Sequence, residues 1–450
     1  MRDIALIGFL LALLGLGFRR PFFFVLAYAY VDIVSPQRLS YFLLNSVPVS
    51  LICFALAVLA WLVFDDKRGS RFAPRQGLLL LLLLYCWATT INADIPIAAA
   101  EKWDWVWKAL VFAIFLPLTL RTKLRIEALA LFMTLCAASI IITGGIKTLL
   151  SGGGYGVLAL PADTNSGLYE SSTISTVAIA LIPLIVHLAK RGTIFPPDWR
   201  TTLFAYALIF ACLLIPVGTE ARTGVVCIAV LGLLALRHIK RRLLYVSIIG
   251  ALGLAALPLL PGTFTERVGT MKEVRADESA STRLAVWKWT WDYVQDHPFG
   301  GGFDAYRQNK LRYETVDTTE GTSTVARSAS LVEDKGRAYH SAYFEMLGEQ
   351  GWPGLILWLI IHVGGVVRME VLQRRYRGRT AEEGGWIGDL AAALQTGHII
   401  YLVGSLFVGI AFQPFVYMLV GMQIGLDSYA RRTARPATAR PFIKQAGAAS

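Results

Sequence analysis

Charge is scarce in this chain. Only 16% of its 450 residues are Asp, Glu, Lys or Arg, where a soluble domain carries roughly a quarter. That shortage, with 55% hydrophobic residues and a mean hydropathy of +0.54, excludes an ordinary soluble protein. Cysteine is equally sparse. Cys53, Cys86, Cys136, Cys212 and Cys227 all lie within apolar runs, which excludes a disulfide framework and reads as small buried side chains. No paired Asp-x-Asp and no His/Cys cluster has metal-ligand spacing, so no metal and no other cofactor is expected. Pro298-Phe-Gly-Gly-Gly-Phe303 lacks a following Gly-Lys-Ser/Thr, which argues against a nucleotide loop and for a tight turn. No internal or inverted repeat is visible, and low complexity is confined to residues 431–450.

What is abundant is apolar sequence. Runs at 3–17 with 21–34, 45–64, 76–91, 104–120, 127–148, 173–189, 201–217, 223–236, 243–259, 341–366, 391–411 and 414–428 recur along the chain. Many are long enough to cross the ~30 Å of bilayer hydrocarbon. The expected fold is an all-α polytopic membrane protein with about twelve spans. Residues 3–17 and 21–34 make either one broken crossing or two short ones, and the single crossing is preferred. Met1–Arg20 lacks a small-residue cleavage site and is taken as part of the fold.

The net charge of +12 is topological. Basic clusters occupy alternate gaps: Lys67–Arg75, Arg121–Arg125, Lys190–Arg200, Arg237–Arg242, Arg368–Arg379 and Arg431–Lys444. The positive-inside rule places all of them on the cytoplasmic face and removes nucleic acid as a partner. Gaps 92–103, 149–172, 218–222 and 260–340 then lie outside. The last is nearly neutral, with eleven Lys/Arg and twelve Asp/Glu. The expected organisation is an N-terminal transmembrane bundle at 1–259, a helical external subdomain at 260–340, C-terminal transmembrane helices at 341–430 and a basic disordered tail at 431–450.

Three external residues suggest chemistry. Arg222 lies at a helix mouth in Gly218-Thr-Glu-Ala-Arg-Thr-Gly224, preceded by Glu220. Arg283 lies in Asp277-Glu-Ser-Ala-Ser-Thr-Arg-Leu-Ala-Val-Trp-Lys-Trp-Thr-Trp291. His340 opens Ala338-Tyr-His-Ser-Ala-Tyr-Phe-Glu-Met-Leu-Gly-Glu-Gln-Gly-Trp-Pro-Gly354. Arginine offers a planar, permanently charged fork for phosphate oxygens. Two arginines can neutralise a departing pyrophosphate, and a histidine can take a proton from a hydroxyl near neutral pH. Together they could transfer a glycan from a polyprenyl-pyrophosphate donor without metal or nucleotide.

Blander roles stand beside these. Arg222 can snorkel to lipid headgroups. Arg283 can sit on an interfacial helix with Leu284, Trp287 and Trp291 along one side, and Trp287 can also stack on sugar. His340 can be a satisfied surface residue, the role left to His187, His238, His297, His362 and His398. Glu345 and Glu349 can pair with loop arginines or orient His340. Pro353 and its neighbouring glycines loosen the backbone where the apolar run begins.

The Ala-Arg-Thr-Gly helix mouth, Ser-Thr-Arg-Leu-x-x-Trp, Pro-x-Gly-Gly-Gly-Phe and His-Ser-x-Tyr-Phe-Glu-x-Leu-Gly-Glu-x-Gly together resemble the O-antigen ligase/polymerase superfamily. Glu101-Lys-Trp-Asp104 and Ser151-Gly-Gly-Gly-Tyr155 add to the likeness. Within the superfamily the chain is similar to the O-glycosylation ligases associated with exosortase A. The resemblance implies a GT-C-type glycosyltransferase of the bacterial inner membrane with a periplasmic active site. Its donor would be a glycan on undecaprenyl pyrophosphate. Its acceptor would be a hydroxyl on lipid A core, protein or polysaccharide, and membrane lipids would surround it. The resemblance makes His340 the base and Arg222 and Arg283 the pyrophosphate ligands, with Glu220, Glu345, Glu349 and Trp287 as supporting candidates. Two departures concern substrate identity: Glu220-Ala-Arg-Thr-Gly224 replaces Gln-Ser-Arg-Gly, and Glu170-Ser-Ser-Thr173 replaces an acidic-Asp-Asn-Asn run. The alternatives are a polysaccharide polymerase of the same superfamily and, ranked lower, a lipid-glycan transporter, which would place charge near the bilayer midplane.

Overall fold

The computed structural model describes residues 2–156, 158, 167–237, 278–320, 325–380 and 382–434. The span expected at 243–259, Lys240, Arg241, Arg242, residues 260–277 and the tail from 435 onward lie outside the described residues. The helices, in order, are α1 (Arg2–Arg19), α2 (Phe22–Val34), the single turn α3 (Pro36–Leu39), α4 (Val49–Phe64), α5 (Pro74–Ile91), α6 (Pro96–Thr119), α7 (Lys123–Ser151), α8 (Ser171–Arg191), α9 (Trp199–Gly218) and α10 (Arg222–Leu236). Then come α11 (Glu278–Asp296), β1 (Lys310–Glu320), β2 (Val325–Lys335), α12 (Ala342–Tyr376), α13 (Gly385–Gly404) and α14 (Pro414–Thr433).

Among the described residues, five helices are long and apolar enough to cross a membrane: α5, α7, α8, α9 and α12. Three shorter apolar helices, α2, α4 and α10, join them. Burial follows bilayer logic. α8 and α14 are buried almost continuously through Thr173–Ile182 and Phe415–Asp427. Leu62, Leu81, Leu84, Phe204, Phe210, Val363 and Val367 are exposed on outward faces, which suits contact with lipid rather than water.

The first two helices correct an expectation. Asp3 accepts hydrogen bonds from Ser40 Oγ at 2.8 Å and from the Tyr41 and Phe42 amides at 3.1 Å. Phe18 meets Phe24 across the turn at Arg20-Pro21, with ring centroids 5.4 Å apart. α1 and α2 are therefore an antiparallel pair, and the start of α1 lies beside residues 40–42. A single broken crossing does not fit that geometry. The basic pair Arg19–Arg20 marks the hairpin turn.

Ion pairs gather the basic gaps at one end of the bundle. Arg125 pairs with Asp65 at 2.6 Å, Arg121 with Asp66 at 2.9 Å and Arg191 with Asp389 at 3.0 Å. Arg237 pairs with Glu370 at 2.8 Å and Arg368 with Asp427 at 2.7 Å, while Arg432 donates to Gly69 O and Arg121 O, each at 3.1 Å. α14 runs to Thr433, so Arg431 and Arg432 are helical rather than the start of a tail. The opposite end joins the other gaps, with Tyr155 N on Gly218 O at 3.0 Å and Asp94 N on Gly301 O at 2.9 Å.

Between the two ends runs a buried polar chain. His362 Nδ1 lies 2.8 Å from His398 Nε2, His398 Nδ1 lies 2.9 Å from Gln423 Nε2, and Arg75 donates to Gln423 Oε1 at 3.2 Å. This chain ties α5, α12, α13 and α14 together. His362 and His398 are fully buried, so they are not the surface histidines expected. Polar groups in hydrocarbon are costly unless paired, and such pairing fixes which helices meet.

The segment expected to be a helical subdomain holds α11 and an antiparallel two-stranded ribbon, with Lys310 opposite Lys335 and Glu320 opposite Val325. Lys310–Glu320 carries three threonines with Tyr313 and Val316, and short polar residues break any helical stripe in Val325–Lys335. That composition favours extended chain.

Candidate active site

The end opposite the basic gaps is built around a break in α12. The sequence Gly348-Glu-Gln-Gly-Trp-Pro-Gly354 interrupts the helix at Gly351, where φ is +62° and ψ is −167°. Into that break fits the glycine turn after α11. Gly301 N donates to Gly348 O at 3.0 Å, Gly302 N to Glu349 O at 2.9 Å and Trp352 N to Pro298 O at 3.0 Å. A Cβ on Gly300 would lie 2.5 Å from Glu349 O, so only glycine allows this approach. The turn is thus a backbone clasp that seats the end of α11 on the bundle, as a tight turn and not a phosphate loop.

His340 stands at the mouth of α12 with φ +49°, in the left-handed region that non-glycine residues avoid. Its neighbours hold it there. Trp287 Nε1, from α11, donates to Tyr339 O at 2.9 Å. The Trp287 ring stacks on Phe344 with centroids 4.9 Å apart and 5° between planes. Ala342 N donates to Ser405 O at 2.8 Å. Trp287 therefore faces inward, while Leu284 and Trp291 are each 51% exposed. The three do not form one interfacial stripe.

Arg283 lies one helical turn before Trp287 and its charge acts on His340. Partial desolvation lowers the His340 pKa first, the Arg283 guanidinium lowers it further, and Glu170 acts in the opposite direction. His340 keeps an exposed surface and is held neutral at pH 7, the state in which imidazole can accept a proton. Arg283 Nε is buried without a hydrogen-bond partner, leaving part of its fork unused within the protein.

Glu170, which the sequence flagged only as a departure, is the N-cap of α8, where its side chain accepts from Thr173 N at 2.6 Å. Its charge reaches both Arg283 and His340. Arg222 opens α10 on the turn that packs against α8: Thr219 Oγ1 is 3.0 Å from Ser175 Oγ, little more than one turn beyond Glu170. Glu220, just before it, is also left-handed at φ +51°. Arg283 and His340 are brought together, then, and Arg222 joins the same end through α8. Glu345 and Glu349 do something else. Both bind Lys102 of α6, at 2.7 and 2.8 Å, rather than loop arginines or His340. By sequence Lys102 falls in the gap at 92–103; Pro96 at the first helical position starts α6 early and puts Lys102 on a helix.

The long apolar helices of the fold define a multi-pass membrane protein. Residues 206–359 match the family model described as O-antigen ligase, and residues 1–193 match one described as a family of unknown function (DUF5935). No curated protein matches the chain. The O-antigen ligase match supports the superfamily the sequence resembles and a glycosyltransferase-like enzyme working on lipid-linked glycans. Arg222, Arg283 and His340 all fall inside that match, whereas Lys102 and Glu170 fall inside the other.

Proposed function

We propose that the protein transfers a glycan from undecaprenyl pyrophosphate to an acceptor hydroxyl at the periplasmic face of the bacterial inner membrane, as a GT-C-type enzyme. His340 takes the acceptor's hydroxyl proton. The freed oxygen electron pair attacks the anomeric carbon, the bond from that carbon to the pyrophosphate oxygen breaks, and the bonding pair leaves on the pyrophosphate. Arg222 and Arg283 meet the charge that develops there, which supplies the electrostatic stabilisation without a metal. A single displacement inverts the anomeric configuration.

The observation that carries this reading is the pairing of a neutral, strained, solvent-reaching His340 with the partly unsatisfied Arg283 guanidinium. Backbone strain of ~1–3 kcal/mol is retained where the surroundings enforce it, commonly at functional sites. The periplasmic placement rests on the basic gaps gathered at the opposite end. The resemblance to exosortase A-associated ligases makes protein or exported polysaccharide an acceptor class beside lipid A core. Deleting the gene tests the reaction: undecaprenyl-linked glycan should accumulate beside an unmodified acceptor. Short, unpolymerised lipid-linked units would instead assign a polymerase, and no change in lipid-linked glycan would overturn the proposal.

A further inference from the structure

Lys102 Nζ lies 2.7 Å from Glu345 Oε1, 2.8 Å from Glu349 Oε1 and 3.8 Å from Asp304 Oδ1. Each glutamate also holds a backbone amide: Ala411 N donates to Glu345 Oε2 and Asp304 N to Glu349 Oε1, both at 3.0 Å. One ammonium thus ties α6 to the start of α12, to the loop after α13 and to the chain just beyond the glycine turn. Glu349 is fully buried. Charges this enclosed persist only when paired, and removing one partner strands the others.

The segment these bonds grip is short. Ala342–Gln350 makes about two and a half helical turns. It is bounded by left-handed His340 on one side and by the break at Gly351 on the other. The rest of α12 does not brace its rotation, because the helix is interrupted. Its neighbours set it instead: the glycine turn on Gly348 O and Glu349 O and Thr89 on Gln350 hold its far end, while Trp287 against Phe344 and Lys102 against Glu345 and Glu349 hold its two sides. Glu345 N donates back to Ser341 O at 2.8 Å, so the grip reaches the residue after His340.

We infer that Lys102 is a positioning residue for the transfer: by holding Glu345 and Glu349 it fixes the height and rotation of the Ala342–Gln350 segment, and so aims His340 at Arg283. The inference rests on His340 being the base. Lys102 touches no substrate in this account. A misplacement of about 1 Å at a reacting group can cost on the order of 10²-fold in rate.

The test is Lys102→Met in purified full-length protein, with rates measured against donor concentration and against pH. The charged groups acting on His340 are Arg283 from α11, Glu170 from the cap of α8 and Arg337 from its own segment. Loosening the segment separates His340 from Arg283 and exposes it to water. The acid limb of the rate profile should therefore rise towards the ordinary imidazole value, with kcat down about 10–100-fold and the donor KM unchanged. If Lys102→Met does not insert at normal levels, Glu345→Gln carries the test, because it keeps the Lys102–Glu349 pair; a smaller shift in the same direction is expected. A folded variant with the wild-type kcat and acid limb overturns the inference. So does a loss confined to donor KM. If the wild-type enzyme has no acid limb at all, the assignment of His340 as base fails instead, which separates the two claims.

Discussion

Trp287→Phe should slow transfer without weakening donor binding. The substitution keeps an aromatic ring against Phe344, where the native rings stack at 4.9 Å, but removes the indole N–H that donates to Tyr339 O at 2.9 Å. An unpaired buried carbonyl costs about 1–3 kcal/mol. The left-handed conformation of His340 stores a strain of similar size, roughly 1–3 kcal/mol. The lost bond is therefore large enough to let the strained residue relax out of place. At about 1.4 kcal/mol per tenfold in rate, kcat should fall roughly 5- to 100-fold. Trp287→Leu also loses the stacking, worth about 0.5–1.5 kcal/mol, and should fall several-fold further. The assay is initial-rate transfer in detergent with purified protein, lipid-linked donor and acceptor, with expression and melting temperature followed in parallel. A wild-type kcat for Trp287→Phe, or a loss seen only in donor KM, would refute the idea that α11 pins His340 in place.

Arg283→Lys and Arg222→Lys should each lose most activity at normal insertion levels, since an ammonium cannot offer a forked pair of hydrogen bonds; near-native turnover in both would favour the headgroup-anchor role. Because the His340 pKa lies below the ordinary imidazole value, the base form is present at neutral pH and is lost as pH falls through that lowered value. Activity should accordingly hold down to a pH below 6.5, and an acid limb above that value would contradict the environment described for the ring. Asp296→Cys, on the exposed end of α11, should react with a membrane-impermeant thiol reagent in cells whose outer membrane alone is permeabilised, the native cysteines being buried. Labelling only after inner-membrane disruption would reverse the topology.

Much of the fold was legible because its determinants are local. Apolar runs and alternating basic gaps anticipated most helix positions, and ion pairs such as Arg125–Asp65 and Arg368–Asp427 bring those gaps to one end. The α1–α2 hairpin is not legible in hydropathy because its arbiter, Asp3 reaching Ser40 and Tyr41, spans a distance along the chain that no hydropathy window covers. Likewise, the tight turn at Gly300 was visible from composition, while its clasp with Gly351 was not. The same division holds at the site. Motifs pointed to Arg222, Arg283 and His340. Lys102 sits within the Glu101-Lys-Trp-Asp104 motif but takes no role from sequence, since its carboxylate partners lie far along the chain. In sequence His362 and His398 stand as single residues, and only packing reveals them as a pair.

The most direct test of the account is the rate of glycan transfer by His340→Gln, measured with purified protein, undecaprenyl-pyrophosphate-linked donor and acceptor in detergent. Glutamine keeps a polar side chain but cannot take up a proton near neutral pH, and general-base assistance is typically worth ~10²–10⁴-fold. A loss of that order is expected, with donor binding largely retained, because the arginines remain. Transfer by His340→Gln at close to the wild-type rate would contradict the role of His340 as the base.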